Sequence, residues 1–296
     1  MQVVKSKSGG RIYVVVSYLV ALLAAMAVGH ALPATHPIWV VLIADVAATA
    51  AIFAASVLLD NSSVYDPYWS VVPPIVAMYW LAEGGIDSVG PRQIAIVLLT
   101  TAWGIRLTVN WARRWGGPCD EDFRYREIRG KTGRMYWPAS LVSIHLMPTL
   151  WVFLGMLPMF PALTRTGDLG LMDAAAFAVT TSAIAVEAAA DRQLRKFLRS
   201  PHPPGAVLGT GLWARCRHPN YLGEILFWWG LFLFGVAAQP NWAWTVVGPV
   251  SITLLFVLVS VPWMDRRMLS RHPGWTEQMK NVPALLPSWR RTSPPC

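Results

Sequence analysis

The stretch RCRHPNYLGE places polar side chains directly before the apolar run ILFWWGLFLFG. Its polar residues are Arg215, Arg217, His218, Asn220, Tyr221 and Glu224. Pro219 suits the first turn of a helix, because no backbone donor is needed there. That helix would carry Asn220 and Glu224 on one face, and its N-terminus, which favours anions, would follow Arg217 and His218. The cluster suits a phosphate-bearing cofactor; an interfacial belt of Arg, His, Tyr and Trp is the alternative.

A second polar stripe lies in EAAADRQLRKFLRS. Its members recur at every fourth position and so share one face of a helix: Glu187, Asp191, Arg195 and Arg199. An exposed face laced with salt bridges explains this pattern. A nucleotide groove explains it equally well, with acids bound to ribose or amide groups and arginines bound to phosphates.

Isolated charges also occur inside apolar stretches, where they are costly and often functional. Arg106, in TTAWGIRLTVNWARRW, either snorkels to the membrane surface or binds an anion inside the bundle. A polar contact between helices explains Asp45 as well as a functional role does, and explains His145 better.

The elements that position these residues are predicted to be transmembrane helices. The 296-residue chain is 54% hydrophobic and 14% charged, with a mean hydropathy of +0.42, whereas a soluble domain carries about 25% charged residues. Apolar windows of about 20 residues fall near 12–32, 38–59, 92–112, 138–160, 169–190, 222–238 and 242–263. A weaker window at 68–82 contains Pro73 and Pro74, which suggests a broken or re-entrant helix.

The fold class is therefore predicted to be an all-α integral membrane protein. We expect one membrane domain over 1–296, a bundle of seven to eight transmembrane helices with cytoplasmic loops forming a cofactor site. The first window is too long, and lacks the small-residue cleavage pattern, for a removable signal peptide. The three cysteines are scattered without C-x-x-C pairing, which argues against a disulfide framework and a zinc site.

The distribution of basic residues tests this layout. With eight crossings and a cytoplasmic N-terminus, four cytoplasmic segments hold 22 of the 25 Lys and Arg residues: 1–11, 113–136, 191–220 and 264–296. The positive-inside rule accounts for such asymmetry. The net charge of +9 thus mainly reflects the membrane topology. The pattern argues against a nucleic-acid partner and predicts that both termini lie in the cytoplasm.

The motifs together resemble a known group of membrane enzymes. GLWARCRHPNYLGEILFWWG resembles the C-terminal region of the steroid 5-alpha-reductase-like superfamily, in particular its bacterial branch with a domain of unknown function. EDFRYREIRGKTG, EAAADRQLRKF and SVYDPYWSVVPP are similar to the same branch. The resemblance covers about residues 40–290, with a cofactor-binding half at about 180–290, and implies a bacterial inner-membrane protein.

What the resemblance implies is an NADPH-dependent reduction of a lipophilic enone or steroid-like carbon–carbon double bond. Asn220 and Glu224 would contact the nicotinamide end, and Asp191 and Arg195 the ribose and phosphates. Glu187 stands where the steroid enzymes have Asn.

The resemblance also implies residues outside the C-terminal half. Arg106 would face the cofactor, and Asp66, together with a tyrosine, would polarise the substrate ketone. Trp103 occupies the position of the catalytic tyrosine of the steroid reductases. Tyr65 or Tyr68, which flank Asp66, could replace that tyrosine, and Arg266 could add a phosphate contact.

Two alternatives remain open at this stage. The isoprenylcysteine carboxyl methyltransferases, a sister group, share the RHPxYxG core and use S-adenosylmethionine, although PWMDRRMLS here carries the single acid Asp265 rather than a Glu pair. A non-catalytic lipid-binding or transport protein is the other alternative.

Overall fold

The computed structural model describes residues 6–85 and 89–287. Over these residues the chain is helical and contains no β-strand, as predicted. It divides into two compact units, Met1–Gly167 and Asp168–Cys296, called unit 1 and unit 2 below and described separately.

Unit 1 is built from helices α1 to α8. Their bounds are Lys7–Ala31 (α1), Pro37–Leu59 (α2), Tyr68–Glu83 (α3), Pro91–Arg114 (α4), Phe123–Thr132 (α5), Tyr136–Ser140 (α6), Met147–Met156 (α7) and Met159–Thr164 (α8). A π-helical segment, Leu141–Leu146, joins α6 to α7. Proline starts α2 and α4, where its missing N–H leaves no helical hydrogen bond unmade.

Unit 2 is built from helices α9 to α13. Their bounds are Leu171–Arg199 (α9), Pro219–Ala238 (α10), Val247–Leu255 (α11), Val261–Arg271 (α12) and Trp275–Asn281 (α13). The π-helical segment Phe256–Ser260 joins α11 to α12. As the sequence predicts, α10 begins at Pro219.

Seven helical runs in the described part of the chain are long and apolar enough to cross a membrane. They are Lys7–Ala31, Pro37–Leu59, Pro91–Arg114, Phe123–Met156, Leu171–Arg199, Pro219–Ala238 and Pro240–Arg271. Each contains one of the predicted apolar windows or most of it. The predicted class, a multi-pass bundle of transmembrane helices, is therefore confirmed.

The proline-containing helix α3 is continuous, not broken. It has 16 residues, which span about 24 Å at about 1.5 Å per residue. Pro73 and Pro74 lie inside it. Helix α4 packs closely on α3 beside these prolines. A Cβ on Gly104 of α4 would clash with the Ser70 carbonyl and lie 2.9 Å from Pro74.

Contacts before and after α3 show that this helix connects the two ends of unit 1. At one end the Asn61 side chain, just before α3, donates to the Pro118 carbonyl at 2.7 Å. At the other end a Cβ on Gly84 would lie 2.8 Å from the Leu163 carbonyl, and Gln93 donates to the Arg165 carbonyl at 2.7 Å. Helix α3 thus leads from the end that holds the start of α5 to the end that holds α8.

Candidate functional site

The loop between α2 and α3 presents Asp66 to a tyrosine of α5. The Tyr125 hydroxyl donates to Asp66 Oδ1 at 2.7 Å, and both residues are half-buried. Removal from water is the main cause that raises the pKa of Asp66 to about 7, and the nearby carboxylate of Asp122 raises it further. A carboxyl group that holds its proton near neutral pH, bound to a phenol, is a chemically suitable proton donor.

The two tyrosines predicted to partner Asp66 bind elsewhere. The Tyr65 hydroxyl lies 2.8 Å from Thr149 Oγ1, and the Tyr68 hydroxyl donates to Asp45 Oδ1 at 2.7 Å. Their rings stack on each other at 5.0 Å, and both side chains are buried. The structure therefore pairs Asp66 with Tyr125, a residue of the EDFRYREIRGKTG motif that the sequence reasoning missed.

A network of hydrogen bonds anchors this loop to α5 and α6. Glu121 accepts from the Ser62 backbone N–H at 2.9 Å and from the Tyr136 hydroxyl at 3.0 Å. Arg129 adds an ion pair to Glu121 at 3.3 Å and one to Asp60 at 2.8 Å. The loop that carries Asp66 is thus fixed by a buried acid.

His145 is a satisfied core histidine, in line with the structural interpretation of the sequence. Its Nε2 lies 3.2 Å from Ser56 Oγ, and its Nδ1 lies 3.0 Å from the Ser140 carbonyl. The π-helical segment places the ring beside the carbonyl five residues earlier. Asp45, bound to Tyr68, is likewise a contact between helices.

Helix α4 carries Trp103 and Arg106. Trp103 is fully buried, and Arg106, one turn further on, is half-buried. The role of Arg106 at the cofactor stays a prediction.

In unit 2, three acids of the predicted cofactor site are buried where α9 packs on α10. Glu187, Asp191 and Glu224 are 4%, 8% and 2% exposed. Gly223 allows the close approach, because a Cβ there would lie 2.8 Å from the Glu187 Cβ. Glu224 also accepts from the Trp228 indole at 3.0 Å. Glu187 therefore packs against α10 at Gly223, the residue directly before Glu224.

The other residues predicted to contact the cofactor are less buried than these acids. Asn220, Tyr221 and Arg195 are half-buried, whereas Arg199 and Arg266 are exposed. The stripe on α9 thus runs from buried acids to exposed bases. The salt-bridge interpretation expected an exposed face, and the burial of its two acids does not fit that expectation.

The loop before α10 covers the C-terminal part of α9. Leu212 donates its backbone N–H to Gln193 at 2.9 Å, and the Trp213 indole donates to the Ala190 carbonyl at 3.1 Å. Gly211 has a φ of 63°, which a glycine adopts without steric cost. The loop therefore packs against α9 beside the stripe.

Arg217 and His218, predicted as cofactor contacts, both bind Asp265 of α12. Arg217 Nη2 and His218 Nε2 each lie 2.9 Å from one of its carboxylate oxygens. Arg217 Nη1 donates to the Val282 carbonyl at 2.6 Å, and the His218 ring stacks on Tyr221 at 5.2 Å. Sequence reasoning noted Asp265 only as a lone acid, since no local pattern links it to residues far earlier in the chain.

The residues of unit 2 suit a dinucleotide cofactor in chemical type. Buried carboxylates accept hydrogen bonds from ribose hydroxyls and from a carboxamide. The bases that follow on the same stripe suit phosphates. Among the described residues, no group of three or more His, Cys, Asp or Glu side chains is placed to hold a metal ion.

Comparison with known proteins gives a family but no established activity. A family model described as Protein of unknown function (DUF1295) matches residues 52–281, and this family is associated with steroid 5-alpha-reductase-like membrane proteins. An uncharacterised protein of Schizosaccharomyces pombe is 26% identical over 229 residues, which are 69% of this chain and 67% of that protein. No solved structure matches the chain.

Proposed function

The chain belongs to the membrane-protein family described as DUF1295, and on that premise we propose that it is an NADPH-dependent reductase of a lipophilic enone or steroid-like carbon–carbon double bond. The hydrogen bond between Tyr125 and Asp66 is the observation that carries the proposal. When bound, the cofactor supplies the hydride for the β-carbon of the enone. Charge then develops on the ketone oxygen, and a donor aimed at that oxygen stabilises the transition state.

Tyr125 and Asp66 supply this donor in the proposal. With Asp66 protonated, its carboxyl donates to the Tyr125 oxygen, the reverse of the hydrogen bond described above, and the phenol donates to the ketone oxygen. The phenol gives its proton to that oxygen and takes one from Asp66, which is left as a carboxylate. The raised pKa of Asp66 keeps that proton available near neutral pH. Trp103, at the position of the tyrosine of the steroid enzymes, is buried and is given no role in proton transfer.

The cofactor contacts in the proposal are those of unit 2. Glu187 and Glu224 accept from the carboxamide end, and Asp191 from a ribose hydroxyl. Arg195, Arg199 and Arg266 neutralise the phosphates. The support is that the three carboxylates lie buried on the two helices that pack together, α9 and α10.

Titration of the purified protein with NADPH and with S-adenosylmethionine tests the proposal. We expect saturable NADPH binding that weakens about tenfold or more in Glu224→Gln, because a neutral amide is a poorer acceptor. The Tyr125→Phe variant should bind NADPH as the wild type does. Binding of S-adenosylmethionine alone would refute the reductase proposal, and binding of neither would favour a lipid carrier.

A methyltransferase acting on a lipid or prenylated thiol is the second candidate, and one observation favours it. The arginine nearest the start of α10, Arg217, is bound to Asp265, so the buried part of this site is acidic. S-adenosylmethionine is cationic and carries no phosphate, which suits such a surface. Methyl transfer to a lipophilic thiol without NADPH oxidation would support this candidate.

We also propose that the basic end of unit 1 faces the cytoplasm, in a bacterial inner membrane, where NADPH is available. Cys119 lies exposed at this end, within the basic segment 113–136. A membrane-impermeant maleimide should label Cys119 in inside-out vesicles and not in intact spheroplasts. Labelling only in spheroplasts would reverse the orientation.

A further inference from the structure

One buried carboxylate holds the residues that precede α10. Besides Arg217 and His218, the Trp275 indole donates to Asp265, at 3.2 Å. Arg217, His218, Asp265 and Trp275 are 8%, 3%, 6% and 3% exposed. Residues from three separate parts of the chain therefore meet at a largely buried acid.

The chain after α12 closes the same cluster from a second side. The backbone N–H groups of Arg217 and His218 donate to the carbonyls of Pro283 and Ala284, at 2.9 and 3.1 Å. We call residues 275–284 the C-terminal strap. The strap binds the segment before α10 through backbone carbonyls and through the Gln278 side chain, which donates to the Trp213 carbonyl at 3.1 Å. None of these groups is an acid that competes with Asp265 for the charge of Arg217.

We propose that Asp265 is a positioning residue, which with the C-terminal strap forms a clasp that sets the first turn of α10 for cofactor binding. Asn220 and Glu224 follow the clasped residues directly, so a shift of Arg217 or His218 moves both. Arg217 and His218 then act on the cofactor through α10 and not by contact with its phosphates. This inference rests on the cofactor site proposed above.

Cys216 provides a reporter of the clasp that does not depend on the cofactor. Its thiol donates to the Ala284 carbonyl at 3.3 Å, and burial raises its pKa to about 11. Both features slow its reaction with maleimides, because the thiolate is the reactive form. In a Cys119→Ser, Cys296→Ser background, the labelling rate of Cys216 therefore measures how often the clasp opens.

The first arm of the test measures this rate. We expect Asp265→Asn to raise it about tenfold or more, because the charge that binds Arg217 is lost. Trp275→Phe removes a single donor and should raise it less. Ser270→Ala, an exposed change on the same helix, is the control and should leave the rate unchanged. An unchanged rate in Asp265→Asn overturns the clasp.

The second arm measures the dissociation constant for NADPH on folded protein. We expect it to rise about tenfold in Asp265→Asn and to recover in part in Asp265→Glu, which restores the charge. Exposed Cys216 with unchanged NADPH affinity would overturn the positioning role and leave a purely structural clasp. A wild-type protein that binds no NADPH would overturn the proposed function and this role together, while Cys216 labelling would still decide whether the clasp exists. Trp275→Phe provides both readouts should Asp265→Asn not fold.

Discussion

Asp66 and Asp265 are both held away from bulk water, but their surroundings give them opposite properties. Asp265 accepts from the Arg217 guanidinium, the His218 ring and an indole, so its negative charge is fully paired. Removal from water and the nearby carboxylate of Asp122 raise the pKa of Asp66 to about 7, and together they outweigh the hydrogen bond from the Tyr125 phenol, which lowers it. Burial alone thus does not identify a catalytic acid. The partners decide whether a buried carboxylate serves structure or chemistry.

The largest expected effect is on stability, at Asp265. Asp265→Ala leaves the Arg217 guanidinium, whose side chain is 9% exposed, without its carboxylate, at a cost of about 3–5 kcal/mol. Asp66→Ala removes a group whose hydrogen-bond donor is uncharged and should cost about 1–2 kcal/mol. Unfolding of both variants in detergent checks the difference. Equal losses would contradict the contrast between the two acids.

The second effect is on turnover, at Tyr125. Tyr125→Phe should lower the rate of enone reduction about 100-fold or more, because the donor to the ketone is lost. Tyr65→Phe and Tyr68→Phe should keep the rate, since their hydroxyls bind Thr149 and Asp45. Steady-state rates at saturating NADPH measure this. A larger loss in Tyr68→Phe than in Tyr125→Phe would restore the assignment suggested by the sequence.

A third effect sharpens the role of Glu187. Gly223→Ala places a methyl group 2.8 Å from the Glu187 Cβ, and Gly230→Ala places one 3.0 Å from the Thr180 Cβ. Each change overpacks the contact between α9 and α10 and should cost about 1–3 kcal/mol. Only Gly223→Ala should also weaken NADPH binding, because it displaces Glu187. Similar NADPH affinities in the two variants, measured by titration, would show that Glu187 does not contact the cofactor.

The smallest expected effect is on the pH profile. The folded protein holds the proton of Asp66 more tightly than the unfolded chain does, so the stability that Asp66 contributes is present at low pH. It is lost as pH rises toward the folded value of about 7. The stability of Asp66→Asn, which cannot ionise, should therefore improve relative to wild type from pH 5 to about 8. The rate of the wild type should fall over the upper part of that range. A rate that rises there would contradict a proton-donor role for Asp66.

The helices could be predicted from the sequence, because each long apolar window must satisfy its backbone internally in a membrane. The exception is α3, where Pro73 and Pro74 suggested a break. Each proline removes one N–H, yet the helix continues through both. Its course from one end of unit 1 to the other is visible only from the contacts at its two ends.

The partners of the site residues could not be predicted, because they come from distant segments. Asp66 and Tyr125 are separated by 59 positions, and local spacing favoured Tyr65 and Tyr68 instead. In the same way the helix N-terminus at Pro219 suggested an anion near Arg217, and the anion proved to be Asp265, 48 positions later. The sequence identified residues that require partners, and the fold supplied different ones.

Transfer of deuterium from NADPH labelled at nicotinamide C4 tests the proposed reduction most directly. Purified protein in lipid nanodiscs would be incubated with a panel of lipophilic enones, and the products would be analysed by mass spectrometry. We predict deuterium at the β-carbon of a saturated ketone with the wild type and its near loss with Tyr125→Phe. No transfer to any enone by a protein that binds NADPH, or equal transfer by Tyr125→Phe, would contradict the account.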